Sequence, residues 1–220
     1  FDPKAFVDLV QRERITHTFL VPPQFSAILS LENLEKDSFS SLKTILSAGS
    51  PLRLDVKENI LTSMSENLFE LYGFSEGFAT MLKPHDQRKK FGSVGTPVLG
   101  FEIKIIDEKG NECSPNVAGE IAGYGAGMMK EYYSEVDLTN SLIWTDNRGR
   151  SFIKSGDIGS LDEDGFLTIL DRKKDMIISG GLNVFPVDVE EVVGKHPDII
   201  DVTVIGIPHE KWGETCLALV

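Results

Sequence analysis

The chain has 220 residues, 41% hydrophobic and 25% charged, enough to bury a core in one large domain or two small ones. Against 34 Asp and Glu it carries 22 Lys and Arg, and the resulting formal charge of −12 argues against nucleic acid or an anionic membrane as the main partner. Its two cysteines, Cys113 and Cys216, fit no metal or redox spacing, its four histidines form no ligand pair, and no apolar run approaches the roughly 20 residues of a bilayer span.

From Asp2 to about Arg14, Pro3 in the first turn and apolar Phe6, Leu9 and Val10 predict an amphipathic helix. "THTFLVP" reads as a short buried strand, and Pro22-Pro23 opens a second helix through Leu31. "LKTILSAGSPL" repeats the pattern of an apolar strand, a Gly-Ser-Pro turn and a helical segment from Arg53 to Glu66, and "NLFELYG" is a third strand. Strands alternating with helices of this length predict an α/β fold, a helix-covered and largely parallel sheet whose strand ends form a ligand rim. After about Phe91 the texture becomes β-rich: "FEIKIID", "GEIAGYG" and "GFLTIL" stand between glycine turns, as in a barrel-like subdomain. "DMIIS", the helical "FPVDVEEVVGKH", and the strands "DIIDVTVIGIP" and "ETCLALV" then predict the start of a small α+β C-terminal domain. The expected organisation is residues 1–90, 91–171 and 172–220.

Three segments carry candidate chemistry. In "LYGFSEG", Tyr72 at a strand end can stack a purine, Gly73 lets phosphate approach backbone, Ser75 can donate to it, and Glu76 can hold Mg²⁺ through oxygen. An ordinary hairpin or helix-cap turn accounts for the same residues. "KSGDIG" offers Asp157, whose two acceptor oxygens suit a ribose diol, although an aspartate in a turn between strands is the commoner meaning of Ser-Gly-Asp. "DRKKDMIISGG" runs from a charge knot, which alone marks a solvated loop, through a strand into Gly180-Gly181, a side-chain-free surface. "GYGAGM" misses the dinucleotide fingerprint because Met128 stands where the third glycine belongs, and no Walker-type phosphate loop is present.

Taken together, "SAGSPL", "LYGFSEG", "GSVGTPVLG", "AGEIAGYGAGMMKEYY", "KSGDIGSLDEDGFLTILDRKKDMIISGGLNVFPVDVEEVV" and "HPDIIDVTVIGIPHEKWGE" resemble the AMP-forming acyl-CoA synthetases of the adenylate-forming superfamily, in collinear order over essentially the whole chain. The resemblance implies a two-step reaction: a carboxylic acid and ATP-Mg²⁺ give an acyl-adenylate, then the small domain rotates and CoA displaces AMP. It implies that Gly49, Ser50 and Pro51 border the adenine, Tyr72 stacks on it, and Ser75 contacts the α-phosphate. Glu76 would ligate Mg²⁺, Asp157 would take the ribose hydroxyls with Arg172 beside it, and Lys174 would be the hinge. Gly180 and Gly181 would line the pantetheine tunnel. Ser75 replaces the usual threonine, and Asp171 stands where many members have glycine. The family's phosphate loop and adenylation lysine are expected upstream of Phe1 and downstream of Val220, which makes the chain an internal fragment without turnover of its own. The substrate would be a fatty or aryl acid in a cytoplasmic enzyme. An adenylation domain loading a carrier protein, or a non-catalytic nucleotide-binding module, are the rival readings.

Overall fold

The computed structural model describes residues 1–196, 198–199 and 202–220. The chain packs as two compact units, one of Phe1–Gly73 with Ala79–Leu99, the other of Phe74–Phe78 with Gly100–Val220.

In the first unit, α1 (Pro3–Glu13) starts where the Asp2 side chain accepts the Ala5 N–H at 3.0 Å and ends at Arg14 in the left-handed conformation. There follow β1 (His17–Leu20), α2 (Pro22–Leu29), a 3₁₀ turn Lys36–Phe39, β2 (Thr44–Ser47), α3 (Leu54–Ser63), β3 (Leu68–Gly73), β4 (Ala79–Leu82) and β5 (Thr96–Pro97). Their sheet has the order β1-β2-β3-β4-β5. The β1–β2 and β2–β3 pairs are parallel, each made possible by a crossover through a helix, while β4 and β5 extend the sheet antiparallel. The segment "ATML" of β4 is the returning arm of a hairpin with β3.

Val10, Phe25, Ile28, Phe39, Ile45, Ile60, Leu61 and Leu68 form the core of this unit, drawn from α1, α2, the 3₁₀ turn, α3 and the inner strands. The expected burial of β1 needs correcting: it lies at the end of the sheet order and Phe19 is 57% exposed. One ion pair sits inside the layer, where Lys57 of α3 places Nζ 2.6 Å from Glu70 Oε1 of β3. Lys57 Nζ also donates to the Phe91 carbonyl at 2.5 Å. Burial pushes the Lys57 pKa down and that of Glu70 up.

The second unit holds two sheets. The first is the expected β-rich subdomain: an open, curled antiparallel half-barrel of order β10-β9-β7-β6, with β8 also on β9. It comprises β6 (Phe101–Ile106), β7 (Gly119–Gly125), β8 (Ile143–Thr145), β9 (Ser151–Leu161) and β10 (Leu167–Arg172), with α4 (Val136–Leu142) leading into β8. Ile106, Ala122 and Phe152 pack with Trp144 in its core. The glycines of "GYG" belong to β7, and a Cβ on Gly123 would overlap the Phe78 ring, so close packing explains that glycine.

The second sheet has the order β12-β11-β14-β13, from β11 (Ile177–Ser179), β12 (Leu182–Val184), β13 (Thr203–His209) and β14 (Gly213–Leu219), with α5 (Pro186–Val193) between β12 and β13. Of the apolar run 198–208, residues 200 and 201 lie outside the described residues, as does residue 197. Glu190 of α5 accepts the Val204 N–H at 2.8 Å and so ties the helix to this sheet.

Candidate functional site

The three parallel strands set the first group. β2 ends at Ser47, paired with Glu70 of β3, and Gly49 and Tyr72 each follow that last pair by two residues along the chain. Gly49 has φ 98°, a left-handed turn that suits glycine, and Gly49, Ser50 and Pro51 are all exposed. Tyr72, half-buried, is paired with Thr80 of β4. The strand-end loops of a parallel sheet, where this group lies, are where α/β folds bind ligands.

"LYGFSEG" is a hairpin: β3 ends at Gly73, opposite Ala79 at the start of β4, and residues 74–78 turn between them. The Gly77 N–H donates to the Phe74 carbonyl at 3.2 Å, and the Phe74 and Phe78 rings meet edge-on with centroids 5.0 Å apart. Ser75 at the tip is exposed. Glu76 is held from a distant segment: its carbonyl accepts the Met129 N–H at 2.8 Å, and its Oε1 accepts the Tyr132 hydroxyl at 2.7 Å. That bond, with partial burial and the carboxylate charge, raises the Tyr132 pKa. Tyr132 lies in the family-like stretch "AGEIAGYGAGMMKEYY", yet nothing in sequence spacing joins it to Glu76.

Mg²⁺ binds oxygen, takes one or two carboxylates, and completes its octahedron with phosphate oxygens and water. Glu76 fits that demand. Its Oε2 has no partner among the described residues, which also contain no cluster of three or more His, Cys, Asp or Glu that would form an all-protein cage.

Asp157 corrects the reading of Ser-Gly-Asp as a turn between strands. Residues 155–157 lie inside the continuous strand β9, at a bulge. Glu120 of β7 pairs with Ile158 and Ala122 with Lys154, so residues 155–157 stand opposite Ile121 alone. Gly156 takes φ 77° there, and Ser155 Oγ fills the gap by donating to the Ile121 carbonyl at 3.0 Å and accepting the Asp157 N–H at 3.0 Å. A second shift on β10, between Ile169 and Asp171, brings Arg172 opposite Asp157. Arg172 Nε stands 3.8 Å from Asp157 Oδ1. Bulges re-aim side chains in this way and are frequent beside binding sites.

The charge knot is not uniformly solvated. Arg172, Lys173, Lys174 and Asp175 are exposed in a turn closed by the Asp175 and Met176 N–H groups on the Arg172 carbonyl, whereas Asp171 is buried. Gly180 and Gly181 are the two central residues of the β11–β12 hairpin, whose Ser179 and Leu182 face each other. Their φ values of 59° and 83° are those of a tight mirror-type turn that demands two left-handed residues. The indole of Trp212 packs on Gly180, whose N–H donates to the Trp212 carbonyl at 2.8 Å, and a Cβ at position 180 would strike the ring. Hairpin geometry thus accounts for the glycine pair, and the turn still presents an exposed backbone surface.

The profile of the AMP-binding enzyme family matches residues 1–133, and that of the AMP-binding enzyme C-terminal domain matches residues 188–220. Among curated proteins, the indoleacetate–CoA ligase of Aromatoleum aromaticum is 32% identical over all of this chain and 42% of its own length. A long-chain-fatty-acid–CoA ligase of Salmonella typhimurium is 36% identical over 86% of this chain and 33% of its own length. Among solved structures, ATP-bound MatB of Rhodopseudomonas palustris superposes with a TM-score of 0.90 at 30% identity, over 99% of this chain and 42% of that one. The chain therefore spans between a third and a half of the length of these relatives. No described helix is long and apolar enough to cross a membrane. With residues 1–133 matched by its profile, the chain belongs to the AMP-binding enzyme family, in which the curated relatives named above are CoA ligases.

Proposed function

We propose that this chain supplies nucleotide-binding and hinge residues to an ATP-dependent acid–thiol ligase of the cytoplasm. In the first half-reaction a carboxylate oxygen attacks the α-phosphorus of ATP, forming acyl-adenylate and releasing pyrophosphate. In the second, the CoA sulfur attacks the acyl carbonyl and AMP leaves. Gly49, Ser50 and Pro51 border the adenine, Tyr72 stacks on it, Gly73 leaves room for phosphate, and Ser75 donates to the α-phosphate. Glu76 would hold Mg²⁺, which neutralises charge on the phosphates. Asp157 accepts the two ribose hydroxyls with Arg172 beside it. The residues that follow Lys174 turn about it, and Gly180 and Gly181 then face the pantetheine arm. An aliphatic or aryl acid is the substrate class, in keeping with the two curated relatives, a fatty-acid and an arylacetic-acid ligase by name.

The observation that carries this reading is the double bulge that sets Asp157 against Arg172 in a chain of the AMP-binding family. Calorimetric titration of the chain with AMP tests it. Asp157→Ala removes two hydrogen bonds to ribose, together roughly 1–3 kcal/mol, so AMP affinity should fall about 5- to 150-fold. Equal affinity in the two proteins would remove Asp157 from the nucleotide site. Pyrophosphate exchange driven by a panel of acids, followed by trapping with CoA or a carrier thiol, separates the ligase from a carrier-loading domain and from a non-catalytic module.

A further inference from the structure

We propose that Tyr132 is the positioning residue that makes Glu76 a one-oxygen metal ligand and so biases the site toward small octahedral cations. The inference rests on Glu76 holding the metal, as proposed above, and adds a residue and a selectivity to it. The Tyr132 hydroxyl, 56 residues away in sequence, donates to Oε1 at 2.7 Å, while the Met129 N–H holds the Glu76 carbonyl at 2.8 Å. Side chain and main chain of the same residue are thus fixed by one short segment.

That segment is itself anchored. Thr139 Oγ1 in α4 accepts the Tyr132 N–H at 2.9 Å and donates to the Glu135 carbonyl at 2.9 Å, and Thr139 is 6% exposed. The Tyr132 backbone is therefore held by a buried hydroxyl whose donor and acceptor roles are both filled.

With Oε1 engaged by a phenol, Oε2 is the oxygen left for a cation. A single, well-aimed oxygen suits Mg²⁺ or Mn²⁺, which favour octahedral geometry with water and phosphate in the other positions. Ca²⁺ readily takes both oxygens of a carboxylate, and the Tyr132 bond works against that mode. Partners that orient a metal ligand change metal affinity or activity about 10–100-fold when removed.

The test is ATP binding to the chain by calorimetry, without metal and with saturating Mg²⁺, Mn²⁺ or Ca²⁺, for the unaltered protein, Tyr132→Phe, Thr139→Val and Glu76→Gln. The readout is the factor by which each metal tightens ATP binding, with thermal unfolding reporting that each variant is folded. Tyr132→Phe should leave metal-free ATP affinity within about twofold, remove most of the Mg²⁺ and Mn²⁺ factors, and leave the Ca²⁺ factor nearly unchanged. Thr139→Val should do the same in part. Equal loss for all three metals would show a merely structural role and overturn the proposal, as would an unchanged Mg²⁺ factor in Tyr132→Phe when Glu76→Gln abolishes it. A metal factor that survives Glu76→Gln, or is absent from the unaltered chain, would overturn the metal reading of Glu76 itself.

Discussion

Asp171 shows how one carboxylate in a run of charges can behave unlike its neighbours. It is 8% exposed, its Oδ1 accepts the Arg172 N–H at 2.6 Å, and its Oδ2 accepts the Val187 N–H of α5 at 3.4 Å. Burial pushes its pKa up, and Asp175 and Asp188 push the same way, against the pull of the two N–H groups. The folded state then binds the proton more tightly than the unfolded chain, whose aspartate titrates near about 3.9. Between that value and the raised folded one the native state holds more protons, so stability falls as pH rises through the window. Urea titrations across mildly acidic pH should show this decline, and Asp171→Asn, which carries no charge, should flatten it. An identical slope in the variant would assign the pH dependence elsewhere. The sequence carried no hint of this burial, because five charged residues in a row look alike until one of them packs beneath a helix.

At the scale of elements, Lys57 and Glu70 join α3 to the central strand β3, with Gln87 donating to the Leu68 carbonyl on the same strand at 3.1 Å. Lys57 is 1% exposed, so neither member of the pair has water to fall back on. Removing one partner from such a pair typically costs about 3–5 kcal/mol, because the other charge stays buried and uncompensated. Lys57→Met should therefore lower the urea midpoint strongly with an unchanged denaturant slope. The double variant Lys57→Met/Glu70→Leu should recover most of the loss, since an apolar pair of similar volume avoids the desolvation cost. A double variant no more stable than the single one would mean that the pair does more than fill and neutralise the layer. Both residues lie within two strides of family-like motifs, yet the helix pattern of α3 reads as well with Lys57 facing solvent, and only packing on the sheet turned it inward.

At the scale of the whole molecule, the proposed hinge makes the clearest demand. Lys174 sits in the exposed turn after β10, and proline there would restrict φ at the point about which the residues that follow it are proposed to move. Lys174→Pro should leave AMP affinity within about twofold, since the Asp157–Arg172 pair and the strand-end loops lie outside the substitution. Thioester formation should be lost in single-turnover assays while acyl-adenylate formation continues. Equal slowing of both half-reactions would remove Lys174 from the hinge.

The order of elements was written in local pattern. Pro3, Pro22-Pro23 and Pro186 open helices at their first turns, alternating apolar residues mark β6 and β7, and the collinear motifs place the chain in its family. These signals survive in one dimension because helix starts, strand alternation and glycine turns depend on neighbours a few residues away. What needed tertiary structure was everything set by residues far apart in the chain. The three residues 155–157 against Ile121, Tyr132 on Glu76, and Lys57 on Glu70 are separated by 34, 56 and 13 positions, and no local propensity encodes such partners. The glycine pair at 180–181 stands between these cases: its turn was legible, but the indole of Trp212 closing over it was decided only when β14 came to lie beside β11.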